Sequence, residues 1–315
     1  MQVCVVGASG TIGRATVAAL VAHGYAVTCL VRRHDASLAA QADVIEAEVS
    51  DPAALAAVFA QGRFDVVVSC LASRTGVPAE AWAVDHRANL HVLEAAQRSG
   101  VPHFILLSAI CVQKPLLAFQ HAKLAFEAAL AASGLRYSIV RPTAFFKSLS
   151  GQIERVRKGK PFLIFGNGEL TACKPISDRD LAEYIVGCLN DETRWNRVLP
   201  IGGPGEAITP RQQGEALFSM LGQPPRFRSV PLALLDTIGM ALGLFGKVIP
   251  GLAAKAELAR IGRYYASESM LVLDPATGRY DAAATRSTGT DTLFDYYREV
   301  IDGSATPERG DHAVF

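Results

Sequence analysis

The chain has 315 residues, of which 50% are hydrophobic and 19% charged, and its formal net charge is +1. A chain of this length and apolar content buries a large core, which excludes a disordered protein and a small disulfide-stapled one. The balanced charge lacks the basic excess of nucleic-acid-binding domains, so we expect no nucleic-acid partner.

The cysteines and the apolar runs bear on the compartment of the protein. None of the six cysteines is spaced as Cys-x-x-Cys or as zinc ligands, so we expect buried thiols and no metal site. The chain enters a predicted strand at Gln2 without a signal-peptide pattern. Its longest apolar stretch, 230–250, is interrupted by Asp236, Gly243 and Lys247, which argues against a membrane-spanning helix. These features predict a cytoplasmic protein without a transmembrane segment.

Short apolar strands alternate with helical patterns through the first 145 residues. The pattern predicts strands at 3–6, 26–31, 44–49, 64–71, 104–107 and 137–140. Between them it predicts helices at 11–23, 52–60, 79–99 and 116–132. Strands that are apolar on both faces and alternate with helices indicate a parallel sheet covered on each side. We therefore predict an α/β fold of the doubly wound Rossmann type, with residues 1–145 as its nucleotide-binding domain.

The regular alternation stops after Pro142. Apolar runs at 162–165 and 170–173 flank Gly166-Asn167-Gly168, which predicts a β-hairpin. Further on, the pattern predicts a strand at 198–201 that returns to the main sheet, and helices at 181–189, 210–221, 232–245 and 252–265. We predict that residues 146–302 form a smaller, interleaved substrate-binding lobe and that the polar tail 303–315 frays.

Three regularly spaced glycines connect the first predicted strand to the first helix. Residues 7–13 read Gly-Ala-Ser-Gly-Thr-Ile-Gly. Glycines here can make the turn after the strand, admit a pyrophosphate close to the backbone and allow the helix to pack on the sheet. The first amides of the helix would then face the anion. The loop predicts dinucleotide binding through Gly7, Ser9, Gly10, Thr11, Ile12 and Gly13.

The residues after the next two strands predict which dinucleotide binds. NAD-binding proteins of this fold usually have an acidic residue at the end of the second strand. Here that strand ends in Arg32 and Arg33, and a pair of guanidinium groups suits a 2′-phosphate. We therefore predict NADPH, with Glu48 and Val49 beside the adenine. Leu71, Ala72, Ser73, Pro142 and Phe145, which follow the fourth and sixth strands, complete the predicted coenzyme site.

The glycine loop resembles that of the short-chain dehydrogenase/reductase superfamily. In that superfamily a serine ends the fifth strand and a Tyr-x-x-x-Lys pair lies on the next helix. Ser108 matches the serine and Lys123 the lysine, so they are the candidate catalytic residues, and Lys123 is expected to bind the nicotinamide ribose. The tyrosine position is Phe119, which has no proton to give, and this argues against an ordinary alcohol dehydrogenase.

Longer segments resemble a narrower family. They include LLSAICVQKP at 106–115 and VRPTAFFKSLSG at 140–151, with further matches at 68–76, 171–177, 199–205 and 260–270. They resemble the divinyl chlorophyllide a 8-vinyl reductases, an atypical branch of the superfamily that is similar in architecture to NmrA-like proteins. The resemblance implies NADPH-dependent reduction of the C8 vinyl group of a divinyl chlorophyllide or protochlorophyllide in chlorophyll or bacteriochlorophyll biosynthesis. It also implies peripheral contact with the photosynthetic membranes that hold the pigment.

The implied substrate is a flat, mostly apolar magnesium tetrapyrrole that carries a propionate and brings its own metal. Aromatic walls and one cation would suit it. Candidate wall residues are Phe145, Phe146, Phe162, Phe165, Tyr264 and Tyr265. Candidate partners of the propionate are Lys147, Lys174, Arg260 and Arg263.

The missing tyrosine is compatible with this chemistry, because a conjugated vinyl group accepts hydride at carbon and spreads the charge into the ring. The proton donor stays open among Ser108, Cys111, Lys123 through water, and bulk water. Two other functions also stay open at this point. One is a non-catalytic NADP(H)-sensing regulator of the NmrA type, and the other is a reductase of another conjugated alkene.

Overall fold

A computed structural model describes residues 1–246 and 250–306 of the chain. These residues form two compact units. The first comprises Met1–Ser73, Pro78–Pro142 and Asp178–Ile201, and the second comprises Arg74–Val77, Thr143–Ser177 and the described residues from Gly202 onward. The tail beyond Thr306, which is predicted to fray, lies outside the described residues.

A parallel sheet of seven strands forms the centre of the first unit, in the order β3-β2-β1-β4-β5-β6-β8. The strands of the chain are β1 (Gln2–Val6), β2 (Ala26–Val31), β3 (Asp43–Glu46), β4 (Val66–Ser69), β5 (His103–Leu107), β6 (Arg136–Pro142), β7 (Phe162–Phe165), β8 (Arg197–Ile201), β9 (Phe227–Val230), β10 (Val272–Leu273) and β11 (Tyr280–Asp281). This is the Rossmann-type α/β fold that the sequence predicts.

Helices flank this sheet and make up much of the second unit. They are α1 (Thr11–Ala22), α2 (Ala36–Ala39), α3 (Pro52–Gln61), α4 (Pro78–Ala81), α5 (Asn89–Arg98), α6 (Ala118–Ala131), α7 (Phe146–Leu149), α8 (Ile153–Arg157), α9 (Asp178–Gly187), α10 (Pro210–Met220), α11 (Leu232–Gly246), α12 (Pro250–Tyr265) and α13 (Leu293–Asp302). None of those in residues 1–246 and 250–306 has the length and apolar character of a bilayer-spanning helix.

The strand order places a topological switch point between β1 and β4. The chain runs from β1 to β2 and β3 on one side, and from β4 to β5, β6 and β8 on the other. Side chains of α3, α5 and α6 cover one face of the sheet, where Phe59, Val92 and Phe126 join Phe104 in one buried cluster. In sheets of this kind, ligands bind outside the carboxyl ends of the strands at the switch point. The loops after β1 and β4 therefore mark the expected site.

The helix predicted at 79–99 contains a π-helix at Trp82–Ala88, between α4 and α5. The buried Asn89 supports this wide turn, because its Nδ2 donates to the carbonyls of Val84 and Asp85, each at 3.2 Å. Its Oδ1 accepts a hydrogen bond from Ser69 Oγ of β4 at 2.6 Å. The π-helix thus depends on a neighbouring strand, which the local sequence pattern does not reveal.

The hairpin predicted around Gly166-Asn167-Gly168 is wrong. The turn itself forms, since Gly168 N donates to Phe165 O at 2.9 Å, but residues 170–173 are not a strand. Instead, β7 pairs in parallel with β9, from a distant part of the chain. This pairing buries Phe162 and Ile164 in the core of the second unit, whereas Leu170 stays half exposed.

Candidate coenzyme and catalytic site

The glycine loop after β1 shows which glycines the fold itself requires. Gly7 has φ of +75°, and a Cβ there would lie 2.6 Å from the backbone carbonyl carbon of Cys70, in the loop after β4. A Cβ on Gly13 would lie 2.2 Å from Gly7 O. A Cβ on the exposed Gly10 would meet nothing closer than Gly7 O at 3.4 Å. Gly7 and Gly13 therefore allow the close packing, and Gly10 leaves the loop surface open.

The amino end of α1 fits a pyrophosphate. Gly10 is its N-cap and supplies no side-chain cap, and the first turn contains no acidic residue. The amides of a first helical turn have no partners within the helix and lie at the positive end of its dipole. Ser9 is exposed, Thr11 is half-buried and Ile12 is buried. This donor set is suited to an anion, as the sequence predicts.

Arg32 and Arg33 directly follow β2, and both are exposed. In the described part of the chain, neither guanidinium makes a hydrogen bond or an ion pair. The nearby Asp35 is engaged, because it pairs with Arg14 of α1 and accepts from Ser37 and Leu38 at the start of α2. Hydrogen bonds from Arg14 and Ser37 hold the pKa of Asp35 well below its usual range. The end of β2 therefore presents free cations and a carboxylate that is already occupied.

The other predicted coenzyme residues occupy different settings. β3 ends at Glu46, earlier than predicted, so Glu48 and Val49 lie in the following turn, with Glu48 exposed and Val49 packed on the core. Leu71 is half-buried and Ala72 exposed after β4. Ser73 is buried. Pro142 is buried at the end of β6, and Phe145 belongs to the second unit.

Lys123 forms a buried ion pair that is not predicted from the sequence. Its Nζ lies 2.9 Å from Asp85 Oδ1, and the two side chains are 12% and 0% exposed. Ser73 N also donates to Asp85 Oδ1, at 3.3 Å. Among the described residues, Asp85 Oδ2 has no hydrogen-bond partner. The sequence contains no specific signal for this pair, because Asp85 is one of several charged residues in the helix predicted at 79–99.

Ser108 belongs to a second buried cluster of charged groups. Its hydroxyl donates to Glu127 Oε1 of α6 at 2.5 Å. Glu127 also forms a two-point ion pair with Arg141 of β6, whose Nε donates to Oε1 at 3.1 Å. Neither Glu127 nor Arg141 is among the residues predicted from the sequence. The signal in the sequence is the spacing, because Glu127 follows Lys123 by four residues and so shares its face of α6.

Phe119 and Gln120 of α6, and Cys111 in the turn after β5, are the next side chains to consider as proton donors. Phe119, at the tyrosine position of the superfamily, is half-buried and lies one turn before Lys123. The neighbouring Gln120 is bonded at both ends of its amide, since its Oε1 accepts from Leu116 and Leu117 N and its Nε2 donates to Cys111 O. Cys111 is itself buried, in a short 3₁₀ turn after β5.

The candidate substrate residues of the second unit have mixed environments. Phe146 and Phe162 pack in its core rather than on an open surface. Lys174 donates to Thr285 O at 3.0 Å, Arg260 pairs with Glu257 at 3.2 Å, and Arg263 pairs with Asp236 at 2.9 Å. Phe165 and Lys147 are half-buried, Tyr264 is buried, and Tyr265 is exposed. Within the described ranges, no three His, Cys, Asp or Glu side chains converge as metal ligands.

Comparisons with known proteins show a dinucleotide-binding fold. A family model described as NAD(P)H-binding matches residues 7–192. The QOR2 quinone oxidoreductase of Escherichia coli, solved with NADPH, superposes with a TM-score of 0.71 at 20% identity, covering 95% of this chain and 99% of that one. At this identity the likeness shows the fold alone.

Two curated relatives are much more similar. The divinyl chlorophyllide a 8-vinyl-reductase of Zea mays is 50% identical over 99% of this chain and 82% of its own length. The reductase of the same name from Arabidopsis thaliana is 46% identical over 99% of this chain and 79% of its own length. Similarity of this extent covers the glycine loop, the site on α6 and the second unit together. The chain therefore belongs to the divinyl chlorophyllide a 8-vinyl-reductase family.

Proposed function

We propose that this protein reduces the C8 vinyl group of a divinyl chlorophyllide or protochlorophyllide to ethyl, with NADPH as the reductant. The observation that carries the proposal is a dinucleotide cradle beside a helix face that has Phe119 where carbonyl reductases have a phenolic acid. Carbonyl reduction develops charge on oxygen and needs such an acid. A vinyl group conjugated to a macrocycle spreads that charge into the ring, so it can react on a face without one.

Arg32 and Arg33 support NADPH as the coenzyme. Their guanidinium groups have no partner in the described part of the chain, so they are available for the 2′-phosphate. A ribose 2′-hydroxyl would need a carboxylate instead, and the nearest one, Asp35, is bound by Arg14. The charges around β2 thus favour the phosphorylated coenzyme over NADH.

The residues on α6 have separate roles in this proposal. The bound NADPH supplies the hydride from its nicotinamide ring. Lys123 binds the hydroxyls of the adjacent ribose and fixes the orientation of that ring. The Ser108 hydroxyl donates its hydrogen bond to the ion-paired Glu127, so its lone pairs accept a hydrogen bond from the ligand. Donating that proton to the substrate would place an alkoxide beside a carboxylate, and the proton for the second vinyl carbon therefore comes from another group.

The wider setting is part of the same proposal. Residues 1–145 serve as the coenzyme domain and the interleaved segment 146–302 as the substrate lobe, except that residues 178–201 return to the first unit. The reaction belongs to chlorophyll or bacteriochlorophyll biosynthesis and takes place in the cytoplasm, with peripheral contact with pigment-holding membranes. Leu234 and Met240 of α11, which are 49% and 69% exposed, are apolar side chains that suit such contact.

An anaerobic assay of the purified chain tests the function. Divinyl chlorophyllide and divinyl protochlorophyllide are each incubated with NADPH or NADH, and the Soret band is followed. We expect a shift of this band to shorter wavelength with NADPH, and an ethyl product with two added hydrogens by mass spectrometry. Binding of NADPH without conversion of either pigment would refute the proposed activity.

A further inference from the structure

We propose that Asp85 is a positioning residue of the coenzyme site, which holds the Lys123 ammonium where it meets the nicotinamide ribose. The inference rests on the proposed role of Lys123 and adds a residue that the superfamily pattern of Ser108 and Lys123 does not include. Asp85 acts through Lys123 and touches neither substrate nor coenzyme.

The geometry of the pair carries the first step. A lysine side chain has four rotatable methylene bonds, so its ammonium needs a partner to keep one position. Asp85 Oδ1 provides that partner at 2.9 Å, with both side chains almost completely buried. Glu127, the other carboxylate on this face of α6, is occupied by Arg141 and Ser108. The position of the Lys123 ammonium therefore depends on Asp85.

Asp85 also connects Lys123 to the switch point of the sheet. Its Oδ1 accepts from the backbone N of Ser73, in the loop that follows β4. That same loop passes the glycine turn, since a Cβ on Gly7 would meet Cys70 and Leu71 backbone atoms at 2.6–2.8 Å. One carboxylate oxygen thus ties the lysine to the loop that packs on the pyrophosphate turn.

The second carboxylate oxygen of Asp85 indicates that the ion pair does more than fill space in the core. Asp85 Oδ2 is buried and unpartnered in the described structure, and a buried polar atom without a hydrogen bond is destabilising. A pair of apolar side chains would fill the same space without that cost, and such replacements of buried ion pairs are often neutral or stabilising. The acid is better explained by its effect on Lys123 than by stability.

The π-helix is the element that places Asp85. Trp82–Ala88 packs against α6, and Asn89 keeps its turn wide by bonding the carbonyls of Val84 and Asp85. π-Helical turns inside α-helices occur frequently at functional sites. Here the π-helix contains a carboxylate, and the group it contacts is the lysine of the coenzyme site.

Two probes distinguish positioning from a general structural role. NADPH contains the nicotinamide ribose, whereas adenosine 2′,5′-bisphosphate contains only the half that Arg32 and Arg33 would bind. Dissociation constants for both are measured on the full chain by fluorescence titration. For Asp85→Asn we expect the constant for NADPH to rise on the order of tenfold or more, as loss of a charge-assisted contact gives, with adenosine 2′,5′-bisphosphate unchanged.

A double-mutant cycle then tests whether Asp85 acts through Lys123. In a Lys123→Met background, adding Asp85→Asn should not weaken NADPH binding further. Additive losses, equal losses for both probes, or no loss for Lys123→Met would each overturn the inference. Arg32→Ala with Arg33→Ala is the matched control, because it should weaken both probes.

Folding defects do not hide the outcome. If Asp85→Asn unfolds because it leaves a buried ammonium unpaired, Asp85→Glu keeps an ion pair with Lys123 but moves the carboxylate by one methylene. This variant should fold yet bind NADPH more weakly than the wild type, with adenosine 2′,5′-bisphosphate unchanged; NADPH binding at wild-type strength would overturn the inference. Pigment turnover by the wild type is measured separately, so its absence would refute the substrate without affecting the coupling of Asp85 and Lys123.

Discussion

Replacing Arg32 and Arg33 together by alanine tests the coenzyme preference most directly. Both side chains are exposed after β2 and, in the described part of the chain, have no protein partner, so the substitution removes no internal bond. A charge-assisted hydrogen bond contributes about 1.5–3 kcal/mol. At the lower end of this range, because the site is open to water, two lost contacts amount to about 3 kcal/mol, or roughly 150-fold in affinity for NADPH.

NADH lacks the 2′-phosphate, so its affinity should change little in the same variant. Titration of both coenzymes, with the melting temperature as a check on folding, measures the difference. Arg14→Ala is an informative companion, because it frees Asp35 from its ion pair and should improve NADH binding. If the double variant weakens NADPH and NADH equally, or leaves NADPH binding intact, the assignment of Arg32 and Arg33 to the 2′-phosphate is wrong.

Three further predictions concern the same unit. Gly13→Ala should lower the free energy of unfolding, measured in urea, by about 1–3 kcal/mol, because its Cβ would lie 2.2 Å from Gly7 O. Gly10→Ala should instead fold normally but bind NADPH weakly in a coenzyme titration. Ser108→Ala should lower kcat far less than the 10²–10⁴-fold typical of a lost acid, and a loss of that size would make Ser108 the donor. Burial, with a contribution from Arg136, lowers the pKa of His103 from 6.5 to about 4. As the pH falls, the unfolded chain therefore binds this proton first, and the free energy of unfolding should fall by up to about 3 kcal/mol between pH 6.5 and 4. Urea titrations of His103→Gln should show a smaller fall over the same range. An equal fall in this variant would refute the prediction.

Elements specified by neighbouring residues are predicted well from the sequence. The strand predicted at 26–31 is Ala26–Val31 in the structure, and the helix predicted at 210–221 is Pro210–Met220, with Thr209 and Gln212 forming its capping box. Continuous apolar strands and a capped, periodic helix contain their own signals. The doubly wound fold follows from their alternation.

Features that depend on distant residues are not visible in the sequence. The hairpin prediction fails because the turn at Gly166–Gly168 does not determine whether the next residues pair with β7. The partner of β7 is instead β9, which lies far away in the sequence. The π-helix depends on Ser69 bonding Asn89 across twenty positions. Likewise, α13 is not predicted, although its Tyr297 is fully buried and donates to Leu149 O at 2.6 Å.

The candidate site shows the same difference between local and long-range information. The glycine spacing and the arginines after β2 can be read locally, and the positions of Ser108 and Lys123 follow from the superfamily pattern. Asp85, Glu127 and Arg141 cannot be found in this way, since each acquires its meaning from a partner on another element. Sequence reasoning identifies groups that would meet a ligand, whereas the structure identifies the groups that hold them.

The partners of Ser108 and Lys123 change the chemistry expected of this face of α6. In a carbonyl reductase, a serine, a phenol and a lysine cooperate to give a proton to oxygen. Here the serine donates to a carboxylate already bound by Arg141, the phenol is replaced by Phe119, and the lysine is paired with Asp85. Each polar group is thereby held in place by a charged partner within the protein. Such a face can orient a coenzyme but is poorly equipped to protonate an oxyanion, which favours a conjugated carbon acceptor over a ketone.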